Sequence, residues 1–231
     1  MNRQEIGQWI ESAGIVPVIR APSPELALRA ASAAQAGGAN VVEITMTVPD
    51  ALSVLRQLVA QVGTEMLVGA GTVLDAATTS ACIEAGAEFI VSPGLDLESI
   101  RVAHQANKAI CPGALTPTEV ITAWRAGADM VKVFPCSAVG GAGYIRALKA
   151  PLPDVKLVPT GGVNLATAPG FIAAGATALG VGTALVDLKL LAEQGEPAVA
   201  ERVRQFVAVV REARTARDQR PPAGPDRASN K

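Results

Sequence analysis

The chain has 231 residues, a net charge of −1, 49% hydrophobic but only 3% aromatic residues, 22 glycines and three cysteines. That length holds one large α/β domain or two small ones, with a sizeable core in either case. A charge so near zero leaves no basic field to recruit nucleic acid or a membrane surface. Cys82, Cys111 and Cys136 are odd in number and lack CxxC spacing. A disulfide framework is therefore not expected, each reads as a small core hydrophobe, and a reducing cytoplasm fits. Met1 to Gly14 carries Arg3, Glu5 and Glu11, so it does not read as a signal peptide, and no apolar run is long enough to span a bilayer. A soluble protein is expected.

Ile6, Trp9, Ile10 and Ala13 share one helical face, predicting an N-terminal amphipathic helix closed by Gly14. The first strand is Val16 to Ile19, ending at Arg20. A pattern then recurs. Ala36-Gly37-Gly38-Ala39 leads into Val41-Val42-Glu43-Ile44-Thr45, and Ala85-Gly86-Ala87 into Phe89-Ile90-Val91-Ser92. Ala126-Gly127-Ala128 leads into Met130 to Phe134, and Ala174-Gly175-Ala176 into Ala178 to Gly182. Each is a helix end at a glycine followed by a buried strand. Gly37, Gly86, Gly127 and Gly175 are 49, 41 and 48 residues apart. A βα unit takes about 25 residues, so each interval holds two. The intervening strands are Met66 to Ala70, Ala109 to Pro112 and Lys156 to Pro159.

Eight strands alternating with helices predict an α/β fold, a (β/α)8 TIM barrel with an N-terminal amphipathic helix. An open doubly wound sheet is the alternative, weakened because no GxGxxG follows the first strand. Helix starts at Ser23-Pro24-Glu25, Asp75 and Thr116-Pro117-Thr118-Glu119 carry capping side chains. A last amphipathic helix is expected from Glu196 to Arg214, closing a single domain over 1–214. Thr215 to Lys231 lacks apolar periodicity and reads as a disordered tail.

Lys132 sits in the middle of one predicted strand. An ammonium between two dry faces loses its hydration, and burial favours the uncharged amine, a nucleophile towards carbonyls. Strand alternation turns Val42 and Ile44 towards the helices and Glu43 into the lumen, and likewise Lys132 inward against Val131 and Val133. A buried ion pair is a poor device for stability, so the pair points to chemistry: an amine nucleophile and a carboxylate that moves a proton. Pro159 to Asn164 and Gly180 to Ala184 are glycine-rich turns after the last two strands, where such barrels commonly hold phosphate. Arg20 and Thr72, at strand ends, could hold a carboxylate. His104 is the only histidine, which speaks against a His-based metal site or a Ser-His-Asp triad. No metal ligand set, P-loop or zinc spacing is present.

These motifs together resemble one family. Val42-Glu43-Ile44-Thr45, Gly69-Ala70-Gly71-Thr72-Val73, Ser92-Pro93-Gly94, Pro112-Gly113 with Thr116 to Glu119, Lys132-Val133-Phe134-Pro135 and Pro159-Thr160-Gly161-Gly162-Val163 are similar to the aldolases of 2-keto-3-deoxy-6-phosphogluconate (KDPG) and 4-hydroxy-2-oxoglutarate (KHG). The resemblance spans roughly residues 15 to 190. It implies a metal-free class I aldolase without cofactor, commonly a cytoplasmic homotrimer, that cleaves a phosphorylated 2-oxo acid to pyruvate and glyceraldehyde 3-phosphate. By this resemblance Lys132 is the Schiff-base lysine and Glu43 the general acid and base. Thr72 stands near the pyruvate carboxylate, Gly161, Gly162, Gly182 and Thr183 form the phosphate end, and Pro93 and Phe134 join the substrate-binding residues. Some members carry an arginine where Thr47 stands here, which leaves Arg20 as the cation for the carboxylate. Galactonate-type aldolases share most of the pattern. An isomerase using Glu43 alone, or a non-catalytic sugar-phosphate-binding protein, would form no imine.

Overall fold

The structure, a computed structural model, describes residues 1–219. Helix α1 (Arg3–Ala13) opens the chain behind a capping box: the Asn2 side chain accepts from the Glu5 N–H while Glu5 reaches back to the Asn2 N–H. Ile6, Gly7 and Ile10 are its buried residues, and Gly14 closes it in the left-handed conformation. Strands and helices then alternate. They are β1 (Ile15–Ile19), α2 (Pro24–Ala36), β2 (Val41–Thr45), α3 (Ala51–Val62), β3 (Leu67–Gly71), α4 (Ala76–Glu84), β4 (Phe89–Val91), α5 (Leu97–Gln105) and β5 (Ala109–Cys111). The second half comprises β6 (Gly113–Ala114), α6 (Pro117–Arg125), β7 (Val131–Val133), α7 (Ala142–Lys149), β8 (Leu157–Pro159), α8 (Ala168–Ala173), β9 (Leu179–Val181), α9 (Leu188–Gln194) and α10 (Glu196–Asp218).

The fold is α/β on parallel strands. Six form a half-barrel in the order β5-β4-β3-β2-β1-β9, and three form a second sheet, β6-β7-β8. The expected single sheet of eight strands is thus divided. The predicted strand Ala109 to Pro112 splits at Pro112, which has no N–H to give a ladder. Between β8 and β9 the contact is one parallel bridge, Thr160 to Gly180.

The predicted caps form. Ser23 accepts from the Leu26 N–H, Asp75 from Thr78 and Thr116 from Glu119. The recurring glycines close their helices with positive φ at Gly86, Gly127 and Gly175. In the first unit Gly38 takes that role, while Gly37 remains right-handed at φ −83°. Gly37 must be small for another reason: a Cβ there would lie 2.5 Å from the Ala200 carbonyl oxygen and Val203 Cβ of α10.

The last helix passes the expected end at Arg214 and continues to Asp218. Arg214 anchors it by donating to the carbonyls of Ser12, Glu11 and Thr177, and Thr215 Oγ1 donates to the Arg211 carbonyl, so the next turn starts from a fixed point. The remainder of the expected tail, 220–231, lies outside the described residues.

Alternation along the strands builds two apolar layers. Val42, Ile44, Val131 and Val133 pack outward with the helices, whereas Val41, Leu67, Phe89, Val91, Met130 and Val158 pack inward with Ile6 and Ile10 of α1. Glu43 and Lys132 fall on the inward side of that alternation.

Candidate active site

Glu43 is the middle residue of β2 and Lys132 the middle residue of β7, and they are 2% and 3% exposed. Both line one interior cavity of about 20 Å³, together with Ile10, Phe89, Val91, Met130 and Val158. That volume suits about one water. Glu43 Oε1 is buried and has no hydrogen-bond partner in the protein. Neither group makes an ion pair among the described residues. A purely structural pair would meet directly and satisfy its oxygens. This arrangement keeps a carboxylate oxygen free instead. Gly71 makes room for it, since a Cβ at that position would overlap Glu43 Oε1.

Lys132 Nζ lies 5.4 Å from the centroid of the Phe134 ring. Phe134 also lines a second, more open pocket of about 280 Å³, with Arg20, Thr160, Gly161, Gly162, Gly182 and Thr183. Thr160 and Gly180 line both cavities, so the two are neighbours at the ends of β8 and β9. Gly161 and Gly162 have φ of 93° and 76°, which only glycine adopts without strain. Among the described residues the N–H groups of Gly162 and Thr183 donate to no protein acceptor. The loop is held from below: Thr167 Oγ1 donates to the Gly162 carbonyl at 2.8 Å, and Asn164 Oδ1 accepts from the Ala166 and Thr167 N–H groups. A pocket of free N–H groups beside a guanidinium suits an anion.

Arg20, expected at the carboxylate, lines the rim pocket. It follows β1, which pairs with β2 on one side and β9 on the other. Its side chain lies on the β9 side, where a Cβ on Gly182 would stand 3.0 Å from Nη1. Among the described residues it makes no ion pair. Thr72 and Pro93 line neither cavity. Thr72 caps β3 in the left-handed region at φ 58°, and Pro93 packs its backbone against Gly113, which has no side chain to displace it.

Two cavity residues escaped the sequence reading. Thr160 is 5% exposed, and its parity with Val158 could have marked it as inward-facing. Cys111 lines the inner cavity, and burial first, then Glu43 and Asp129, push its thiol pKa up against the opposing pull of Lys132. Its sequence carries no signal beyond that of a small core residue. Among the described residues no group of three or more His, Cys, Asp or Glu side chains could hold a metal ion, and no helix is long and apolar enough to cross a membrane.

Known proteins resemble this chain in sequence and in fold. A 2-dehydro-3-deoxy-phosphogluconate aldolase of Pseudomonas aeruginosa is 34% identical over 191 residues, covering 83% of this chain and 86% of the relative. A 2-dehydro-3-deoxy-6-phosphogalactonate aldolase of Escherichia coli K12 is 35% identical over 207 residues, covering 89% and 98%. The crystal structure of a KDPG aldolase from Legionella pneumophila, with pyruvate captured as a covalent carbinolamine intermediate, superposes with a TM-score of 0.80 at 28% identity, covering 86% of this chain and 96% of that one. Residues 6–202 match the family described as KDPG and KHG aldolase. On that match and on relatives 34% and 35% identical over most of its length, the chain belongs to the KDPG and KHG aldolase family.

Proposed function

We propose that this aldolase works through an imine on Lys132 and cleaves 2-keto-3-deoxy-6-phosphogluconate to pyruvate and glyceraldehyde 3-phosphate. The observation that carries this reading is a buried amine sharing a small cavity with a carboxylate whose Oε1 has no partner. The uncharged Lys132 amine attacks the 2-oxo carbon, and the carbinolamine loses water to give an iminium. That cation accepts the electron pair of the breaking C3–C4 bond, leaving an enamine rather than a free carbanion. Glu43, directly or through one water, takes the proton of the C4 hydroxyl as the aldehyde departs and returns it to the enamine carbon. Water then releases pyruvate. The iminium itself is the electron sink, so the scheme calls on no metal and no organic cofactor.

Arg20, the free N–H groups of Gly162 and Thr183 and the Gly161 turn hold the distal phosphate, with Thr72 left to the carboxylate end. The galactonate epimer is the second reading, favoured by the Escherichia coli relative that this chain matches over 98% of its length. 4-Hydroxy-2-oxoglutarate is a third, smaller substrate of the same chemistry. We read the frame as a closed (β/α)8 barrel with α1 as its amphipathic plug. Supporting this, Pro112 alone separates β5 from β6, and the Thr160–Gly180 bridge joins β8 to β9. Leu74 and Leu97, 65% and 51% exposed, support association into a homotrimer, which light scattering tests against the 23.5 kDa chain. Three free, buried cysteines fit a reducing cytoplasm.

Incubation with pyruvate and borohydride, followed by intact-mass and peptide analysis, tests the central claim. The expected result is one reduced pyruvate adduct on Lys132. No adduct, or an adduct elsewhere, rejects it in favour of an isomerase or a binding protein on the same frame.

A further inference from the structure

The last residue of β1 is tied to the last residue of β2 by side-chain hydroxyls. Thr45, fully buried, donates its Oγ1–H to the Ile19 carbonyl at 3.0 Å, and Thr47 Oγ1 lies 2.7 Å from Thr45 Oγ1. A hydroxyl has one proton, and that of Thr45 goes to a carbonyl that can only accept. Thr47 is therefore the donor in the second bond. The chain runs from the Thr47 hydroxyl to the Thr45 hydroxyl to the Ile19 carbonyl. Thr47, exposed, thus offers lone pairs outward and no proton.

Arg20 is the next residue after that clamped carbonyl. It leaves the strand end and reaches the opposite neighbour, with Nη1 beside Gly182 in the rim pocket. No ion pair holds it there among the described residues. Its aim depends on the backbone it departs from. We propose that Thr45 is a positioning residue for Arg20: its hydroxyl clamp on Ile19 fixes the strand end so that the guanidinium faces the site of the substrate's distal anion. This deepens the aldolase reading and rests on it for the identity of the substrate. A strand threonine could satisfy its hydroxyl locally. This one instead reaches the backbone of a neighbouring strand 26 residues away.

A double-mutant cycle on the full chain tests it, with Thr45→Val, Arg20→Ala and the pair. Three quantities are read: KM for the phosphorylated substrate, the inhibition constant of inorganic phosphate, and the yield of pyruvate trapped by borohydride. Thr45→Val is expected to raise the first two about five- to tenfold, to leave trapping unchanged, and to add nothing in the Arg20→Ala background, since coupled sites are not additive. Thr45→Ser is expected to restore both constants. Additive effects, or a fall in trapping that matches the rise in KM, overturn the proposal. Should Thr45→Val fail to fold, the exposed Thr47→Val must shift phosphate inhibition in the same direction and by less, and no shift overturns it. A wild-type protein that traps no pyruvate defeats the aldolase reading alone, because the phosphate arm is then read as the dissociation constant of inorganic phosphate by calorimetry, which needs no turnover and must weaken by the same factor in Thr45→Val and not further in the Arg20→Ala background.

Discussion

The inner cavity and the rim pocket meet at Thr160 and Gly180, which line both, yet they are made of opposite materials. The inner one is small, walled by Ile10, Phe89, Val91, Met130 and Val158, and contains the Lys132 and Glu43 side chains with room for about one water. The rim is more than ten times larger and is lined by glycine backbone, hydroxyls and one guanidinium. Apolar walls strengthen every electrostatic interaction between the few polar groups they enclose, which is where bond-breaking gains most. Free N–H groups and a cation at an open mouth suit recognition of a hydrated anion. On the proposed reading the difference is a division of labour along the strand axis: reactivity below, among apolar walls, and grip above, where the substrate's charge would first arrive.

That division predicts effects of graded size. Lys132→Met removes the nucleophile, and turnover is expected to fall by at least about 10⁴-fold together with complete loss of the pyruvate–borohydride adduct, read by mass spectrometry. Retained activity would break the assignment of chemistry to the inner cavity. Glu43→Gln keeps shape but not basicity. A kcat loss of about 10² to 10⁴ is expected while pyruvate trapping persists, and loss of both together would mean the carboxylate serves binding or folding.

Gly71→Ala sharpens the same point from beneath, because its Cβ would overlap Glu43 Oε1. Displacing the carboxylate from a packed interior is expected to cost about 1–3 kcal/mol of stability and about tenfold in kcat, followed by denaturant unfolding and steady-state kinetics. Gly182→Ala acts at the rim. Its Cβ would stand 3.0 Å from Arg20 Nη1, so KM for a phosphorylated substrate is expected to rise about threefold with kcat little changed. A kcat effect larger than the KM effect would erase the distinction between the two regions.

The smallest expected effect is on the thiols. Burial pushes the Cys82 and Cys136 pKa up to about 11, and Cys111 is pushed up as well. A raised thiol pKa means less thiolate at pH 8, so alkylation of the native protein should be slow and should accelerate only on unfolding. Rapid labelling of Cys111 in the folded state would show the inner cavity to be wet.

Much of this was legible in sequence where the signal is local. The caps at Ser23, Asp75 and Thr116 needed only neighbours three residues away, and all three form. Period-two alternation placed Glu43 and Lys132 on the inward side, and both line the cavity. Other features escaped because their causes are distant. That Gly37, right-handed like Ala85 at the end of α4, must nevertheless be glycine depends on α10 pressing against it. The extension of the last helix to Asp218 depends on Arg214 finding carbonyls of α1 and of the loop before β9.

The chain's order of residues, read alone, determined that parallel strands alternate with helices, that an amine and an acid face the same interior, and that glycine turns follow the last strands. Those are consequences of periodicity and of backbone conformations that few residues can adopt. Only the tertiary structure decided that Glu43 and Lys132 share a cavity without pairing, that Arg20 turns towards β9 and the rim rather than towards Thr72, and that Thr45 holds the end of β1. Each of these depends on which strand lies beside which. Strand neighbours are chosen by the packing of the whole chain, not by any short stretch of it.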